Sequence, residues 1–219
     1  MQFAGFLLDR FIAPKSSSLT SCAAPELTDL PNFFGSYFLN NIFRTHVPDN
    51  TRSLTIFFLR RLAIARREYG LGRAQMLNCV AALTESAEMI RFYLAALSHF
   101  EVVVVNSYLA LISHNNVARL IDSQMQRAFK EGDQSAAERL NVTYNALKHF
   151  NENVEKKSVP DVPSPLWLVS DGIECVGSKG EVKLYFAELV DILRDLEQDA
   201  RFVSEEVFNL AAERSAKPS

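Results

Sequence analysis

The sequence predicts a mainly α-helical protein: an antiparallel helical bundle with a small β hairpin or meander near the C-terminus. Apolar residues recur at helical spacing over most of residues 51–157 and again after residue 187, as on the buried face of a helix. Short breaks at residues 70–73 and 131–133 favour antiparallel neighbours. Residues 166–185 instead carry β-prone side chains around an Asp-Gly turn.

Residues 1–50 are predicted to form an irregular N-terminal arm with short helices. Asp9 and Arg10 interrupt the apolar start of the chain, which favours a docking helix over residues 1–12 rather than a signal peptide. Residues 14–31 collect Ser, Thr and Pro without periodicity. The aromatic cluster that follows either packs the arm on the main body or binds a protein partner, and it contains Phe33, Phe34, Tyr37 and Phe38.

The first long helix is predicted over residues 51–69, and Gly70 and Gly72 are expected to end it, as glycines commonly do. Its buried stripe has helical spacing and comprises Leu54, Phe58, Leu62, Ala65 and Tyr69. A basic face lies opposite. It is either an ordinary solvated surface or an RNA-binding one, since each guanidinium offers a planar fork of donors to phosphate, and it comprises Arg52, Arg60, Arg66 and Arg67.

Residues 74–113 contain no glycine or proline and are predicted to form one long helix, or two that join near Ser98 and His99. The apolar run at residues 102–112 is too short for a membrane span and is interpreted as core. A shorter helix is predicted over residues 117–130. The stripe expected to be buried on the first of these elements comprises Met76, Val80, Leu83, Ala87, Ile90, Leu94 and Leu97.

Ser135 and Glu138 have the spacing of a capping box and are predicted to begin a helix that runs to about residue 157. Leu140, Leu147 and Phe150 would face the core. The opposite sector is either a reactive surface or an ordinary solvated one, and it comprises Asn141, Asn145, Lys148, His149 and Glu152.

The C-terminal part, residues 159–219, is predicted to pack on the same domain as the helical core at residues 51–158. The turns at residues 170–172 and 177–180 separate three short β-prone segments. Trp167 is expected to pack this meander on the helices, and a final helix is predicted over residues 187–212.

Composition places the chain among globular proteins, with 48% hydrophobic and 22% charged residues. A net charge of −3 argues against broad electrostatic capture of nucleic acid, so any RNA site must be local. The three cysteines and four histidines lack metal-ligand spacing, which predicts no structural metal, no cofactor, and reduced thiols in a cytoplasm. No phosphate-binding loop or dinucleotide fingerprint is present in the sequence.

The run Asn145-x-x-Lys148-His149, followed by Glu152, resembles the Arg-Asn-x-x-x-His motif of the HEPN superfamily. Tyr144 stands where that family has its arginine. The resemblance extends over about residues 52–157 and implies an all-α domain that cleaves RNA without metal as a homodimer.

The resemblance implies that His149 is the general acid or base, that Asn145 orients it or binds phosphate, and that Lys148 offsets transition-state charge. The expected function is a metal-independent endoribonuclease of a bacterial defence or toxin-antitoxin type system. The alternative, which Tyr144 and the acidic net charge favour, is a non-catalytic HEPN-like subunit that binds a protein partner through its aromatic arm.

Overall fold

The computed structural model describes residues 8–27, 49–82, 86–121, 124–158, 163–177 and 180–215. Within these residues the protein is mainly α-helical with one small antiparallel sheet, as predicted. A π-helical turn, Leu8–Ile12, precedes α1 (Ala13–Ser18), and the further elements are α2 (Asp49–Ala81), α3 (Ser86–Ile121), α4 (Ala136–Lys148), α5 (Phe150–Glu155), β1 (Leu166–Val169), β2 (Gly172–Gly177), β3 (Gly180–Tyr185) and α6 (Phe186–Ser215).

The two longest elements, α2 and α3, form an antiparallel pair. Near the start of α2, the Phe58 ring lies 5.2 Å from the ring of His114, which is close to the end of α3. Farther along α2, the Glu68 carboxylate lies 2.7 Å from Nδ1 of His99, nearer the start of α3. This hydrogen bond from His99 is the largest of the effects that lower the pKa of Glu68. The antiparallel packing predicted for the central helices is therefore confirmed for this pair.

Helix α6 runs beside α3 in the same direction. Its first residue, Phe186, has its ring centroid 5.0 Å from that of Phe100, and Asp199 lies 3.2 Å from His114 farther along both helices. The apolar stripe predicted for α6 is buried at Leu189, Leu193, Leu196 and Ala200. The C-terminal helix thus closes the core that α2 and α3 begin.

The predicted end of the first long helix at Gly70 and Gly72 is wrong, because α2 continues to Ala81. The two glycines differ in their surroundings. Gly70 is exposed, and a Cβ there would contact nothing within 4 Å. At Gly72 a Cβ would lie 3.0 Å from the Phe100 ring. Gly72 therefore permits the close approach of α2 to α3. The helix continues to pack on the core beyond this glycine, since Met76 is fully buried.

This difference predicts opposite effects of the same substitution. Gly70→Ala should raise the free energy of unfolding by about 0.5–1 kcal/mol, since alanine is the better helix former. Gly72→Ala should lower it by about 1–3 kcal/mol, because the methyl group must displace the Phe100 ring. Urea denaturation of both variants measures this contrast, and two stabilising alanines would contradict the close packing at Gly72.

The boundary between the next helices also differs from the prediction. The chain leaves helical structure at Ala82, α3 begins at Ser86, and the helix passes Ser98 and His99 without a break. Of the stripe predicted for this region, Leu97 is buried, whereas Leu94 is 36% exposed and its neighbour Tyr93 is fully buried.

Residues 117–130, predicted as a separate helix, do not form one. Residues up to Ile121 belong to α3, and residues 124–135 contain turns and irregular structure. The Asp133 carboxylate accepts hydrogen bonds from the backbone N–H groups of Lys130 and Ser135, each at 2.8 Å. Such local bonds compete with helical ones and stabilise the loop.

Helix α3 is unusually apolar. Its segment Ala87–Leu120 is long and apolar enough, by length and composition alone, to cross a membrane, and 44% of its most apolar window is buried inside the protein. Core helices of soluble proteins satisfy the same criterion.

The predicted meander is confirmed as a sheet in the order β1-β2-β3, with both pairs antiparallel. Trp167 is 5% exposed, as expected for a side chain that packs the sheet on the rest of the protein. The buried Tyr93 hydroxyl accepts a hydrogen bond from the Leu168 N–H at 3.0 Å and donates to the Leu168 carbonyl at 3.1 Å. One side chain of α3 therefore satisfies both backbone groups of a residue on the edge strand β1.

The described part of the N-terminal arm lies on this core. Helix α1 occupies part of the stretch predicted as irregular, because Pro14 stands in its first turn, where a missing N–H costs nothing. Tyr69 donates a hydrogen bond to the Pro25 carbonyl at 2.8 Å, and Arg73 donates to the Ala24 carbonyl at 2.9 Å. The aromatic cluster of Phe33, Phe34, Tyr37 and Phe38 lies outside the described residues.

Candidate functional site: an amide-rich cleft

A cleft of about 1250 Å³ opens between the end of α3, the loop at residues 124–135, and the helices α4 and α5. Its walls are rich in side-chain amides, which come from Asn115, Asn116, Gln126, Asn141, Asn145 and Asn153. Asn115 donates a hydrogen bond to the Gln126 carbonyl at 2.9 Å. This bond ties the loop to α3 and helps to define the mouth of the cleft.

The start of α4 is fixed by the predicted capping box. The Ser135 hydroxyl accepts a hydrogen bond from the Glu138 N–H at 3.1 Å. In most capping boxes the acidic side chain accepts a hydrogen bond from the backbone N–H of the N-cap residue. The Glu138 carboxylate instead accepts hydrogen bonds from the backbone N–H groups of Gly132 and Gln134. Glu138 thus holds both the helix start and the preceding loop.

Polar residues spaced four positions apart along α4 and α5 place part of the predicted motif in the cleft wall. Asn141, Asn145, His149 and Asn153 all line it, since this spacing keeps side chains on one helix face. The Asn145 amide donates to the Asn141 amide oxygen at 3.1 Å. Lys148, predicted as a catalytic residue, is exposed and does not line the cleft, because it lies about 100° around the helix from His149.

His149 stands at a break in the predicted motif helix, between α4 and α5. Its backbone N–H donates to the Asn145 carbonyl at 3.0 Å, and its carbonyl accepts from the Asn153 N–H at 2.9 Å. Helical hydrogen bonds therefore continue through His149 from α4 into α5. Nδ1 lies 3.5 Å from a Glu152 oxygen, and the side chain is 40% exposed. The imidazole is therefore accessible to a ligand in the cleft.

The cleft holds charges of both signs. Its cations are Arg119, Arg127 and Lys130, and its carboxylates are Glu131, Asp133 and Glu138. Asp133 and Glu138 bind backbone N–H groups of the loop, and the Lys130 N–H is the largest of the effects that lower the pKa of Asp133. Arg119 and Arg127 are exposed, and in the described part of the chain neither forms an ion pair.

The arginine face predicted to bind RNA does not meet this cleft: Arg52, Arg60, Arg66 and Arg67 are all absent from its walls. Arg66 instead faces α6 and lies 2.8 Å from the Glu197 carboxylate, whose pKa burial raises. Arg67 donates to Glu68 at 2.9 Å. Arg66 is therefore committed to a mostly buried ion pair, whereas the exposed Arg67 pairs with its sequence neighbour at the surface.

The cations of the cleft and its aromatic residue, Phe129, were not among the site residues predicted from the sequence. All lie at or beyond the end of α3, in the stretch interpreted as an ordinary helix. The signal in the sequence was the run of turn-forming residues at 131–135, which indicates a loop in this part of the chain.

Tyr144, which stands where the HEPN motif that this run resembles has its arginine, is half-buried. Its ring is stacked on Tyr108 of α3, with centroids 4.1 Å apart and an interplanar angle of 19°. Burial is the main effect that raises the pKa of Tyr108. The phenol therefore braces α4 against α3.

Because the ring makes this contact, Tyr144→Phe should change the free energy of unfolding by at most about 1.5 kcal/mol, the net worth of one hydrogen bond. Any RNA cleavage should persist in the variant. Thermal unfolding and a cleavage assay check the two parts, and loss of cleavage in a normally folded variant would assign chemistry to the hydroxyl.

The fold and the site together define a helical protein with a polar cleft at one end of its second long helix. No family model, no curated protein and no solved structure matches the chain. Among the described residues, no group of three or more histidine, cysteine, aspartate and glutamate side chains is arranged to hold a metal ion.

Proposed function

We propose that the protein binds single-stranded RNA in the amide-rich cleft and cleaves it without metal, as a HEPN-like endoribonuclease. One observation carries the proposal: Asn145 and His149 of the motif line the same cleft as Arg119 and Arg127. An imidazole can transfer a proton, and amides and cations can stabilise charge that develops on a phosphate, which are roles that RNA cleavage without metal requires.

The two arginines supply the phosphate contacts. A guanidinium binds phosphate through a planar fork of donors, and neither Arg119 nor Arg127 is engaged in an ion pair within the described residues. The cleft also holds the carboxylates of Glu131, Asp133 and Glu138, which balance the formal charge of Arg119, Arg127 and Lys130. RNA binding here would therefore depend on direct guanidinium–phosphate contacts and not on net positive charge.

His149 would take the proton of a ribose 2′-hydroxyl, because an imidazole can act as a general base. The oxygen then attacks the adjacent phosphorus, and the 5′-oxygen of the next nucleotide leaves with a proton. A second imidazole in a symmetric homodimer would donate that proton. The accessibility of His149 is compatible with such an arrangement.

The proposal is tested by RNA binding and by cleavage in EDTA. The double variant Arg119→Gln/Arg127→Gln should bind a mixed-sequence single-stranded RNA at least about tenfold more weakly and show a smaller salt dependence. Arg60→Gln, an exposed arginine on α2 outside the cleft, is the matched control and should bind normally. Equal losses in both variants, or no RNA binding by the wild type, would reject the cleft as an RNA site.

The second candidate is a non-catalytic HEPN-like subunit of a bacterial defence or toxin-antitoxin type system. The stacking of Tyr144 on Tyr108 favours it, because a side chain that braces the helix occupies the position of the family's arginine. RNA cleavage that arises only in Tyr144→Arg would support this candidate. A stoichiometric protein partner, recovered from the native host together with an inactive wild-type protein, would support it as well.

A further inference from the structure

We propose that the α4 wall of the cleft is a subsite for an adenine base. This inference rests on the proposed function, since the base would belong to the bound RNA. The subsite consists of the paired amides of Asn141 and Asn145, the apolar side chains of Val142 and Ala146, and Phe129 of the loop, all of which line the cleft.

The amide pair offers both kinds of hydrogen-bonding group. The 3.1 Å bond uses one N–H of Asn145 and one lone pair of the Asn141 oxygen. This leaves Asn145 with its oxygen as an acceptor and its second N–H as a donor on the same amide, and it leaves both N–H groups of Asn141 as donors. Both side chains are half-buried in the cleft wall, so part of their hydration is already removed. The bond between them also holds the two amides in one orientation.

Phe129 supplies a surface on which a base can stack. The residue is half-buried in the loop at residues 124–135 and lines the cleft, yet it is not among the described residues that pack on the hydrophobic core. Single-stranded RNA is commonly recognised by stacking a splayed base on an aromatic ring while polar groups read the base edge. The loop and α4 bring these two features to one cleft.

The donor–acceptor pattern favours adenine. An asparagine amide pairs in two places with the N6 amino group and N7 of adenine, whereas the same edge of guanine presents two acceptors. The larger purine ring also stacks more extensively on Phe129 than a pyrimidine does. The ligand chemistry is thus an adenine base, supplied either by an adenosine within RNA or by a free adenine nucleotide.

The test measures binding of labelled uridylate oligomers that carry one central adenosine, guanosine or cytidine, all with 2′-O-methyl groups that prevent cleavage. AMP is added in a separate series as the free nucleotide. We expect the adenosine oligomer to bind about tenfold more tightly than the others, the discrimination of one two-point contact. The preference should disappear in Asn141→Ala/Asn145→Ala and persist in Asn151→Ala, an exposed amide on α5 outside the cleft.

Stacking is tested separately. Phe129→Leu keeps an apolar side chain but should weaken binding of every oligomer about tenfold. Met125→Leu, on the same loop and outside the cleft walls, should have no effect. Circular dichroism of each variant verifies that its fold is retained.

The outcomes separate this inference from the proposed function. Tight RNA binding without a base preference would overturn the adenine subsite and leave the RNA site intact. Binding of AMP alone, lost in the asparagine double variant, would support the adenine subsite and overturn RNA as its source. Failure of every oligomer and of AMP to bind would overturn both.

Discussion

Replacing His149 with alanine should lower the rate of metal-independent RNA cleavage by about 10²–10⁴-fold, the usual contribution of a general acid or base. The imidazole lines the cleft with Asn145 and is 40% exposed. Its loss removes the proton acceptor for the 2′-hydroxyl but little of the packing, because a half-exposed side chain contributes little to the core. RNA binding should therefore change much less than cleavage.

The measurement compares single-turnover cleavage in EDTA by wild type, His149→Ala and Lys148→Ala. Lys148 is adjacent in sequence and outside the cleft, so its variant should retain the wild-type rate within about twofold, the scale expected for an exposed surface charge. The resemblance to HEPN ribonucleases predicted a role for Lys148, and equal loss in both variants would restore that role. Normal cleavage by His149→Ala would end the ribonuclease proposal.

Tyr93→Phe should lower the free energy of unfolding by about 2–4 kcal/mol, more than a single hydrogen bond is worth. The hydroxyl of this fully buried residue bonds both the N–H and the carbonyl of Leu168, which is also fully buried. Without the hydroxyl, two backbone groups lose their partner, and each unsatisfied buried group costs about 1–3 kcal/mol. Few single-atom deletions in the protein should be as damaging.

Tyr69→Phe is the matched control. Tyr69 is equally buried, but its hydroxyl donates to only one group, the Pro25 carbonyl. Its loss should cost about 0.5–1.5 kcal/mol. Urea denaturation of the two variants gives the comparison, and amide hydrogen exchange at Leu168 should increase only in Tyr93→Phe. Equal destabilisation of both would show that the edge strand β1 does not depend on Tyr93.

Local chemistry was sufficient to predict several elements. The Ser135–Glu138 capping box begins α4, a turn at Ser170 and Asp171 joins β1 to β2 within the predicted turn at residues 170–172, and the α6 stripe is buried at Leu189 and Leu193. Each depends on contacts between residues close in sequence or on a regular periodicity, which the sequence displays directly. The four-residue spacing of Asn145 and His149 likewise put both on one face of the motif helix, and both line the cleft.

Contacts between distant residues decided the rest. Gly72 is a packing glycine and not a helix end because Phe100 lies against it. Arg66 forms an ion pair with Glu197 of α6, so one arginine of the basic face predicted for α2 packs against the core instead. The cations of the cleft come from the end of α3 and from a loop held by Asp133, which no periodicity indicated. A one-dimensional pattern specifies which residues share a face, whereas the partner of that face depends on how the helices pack.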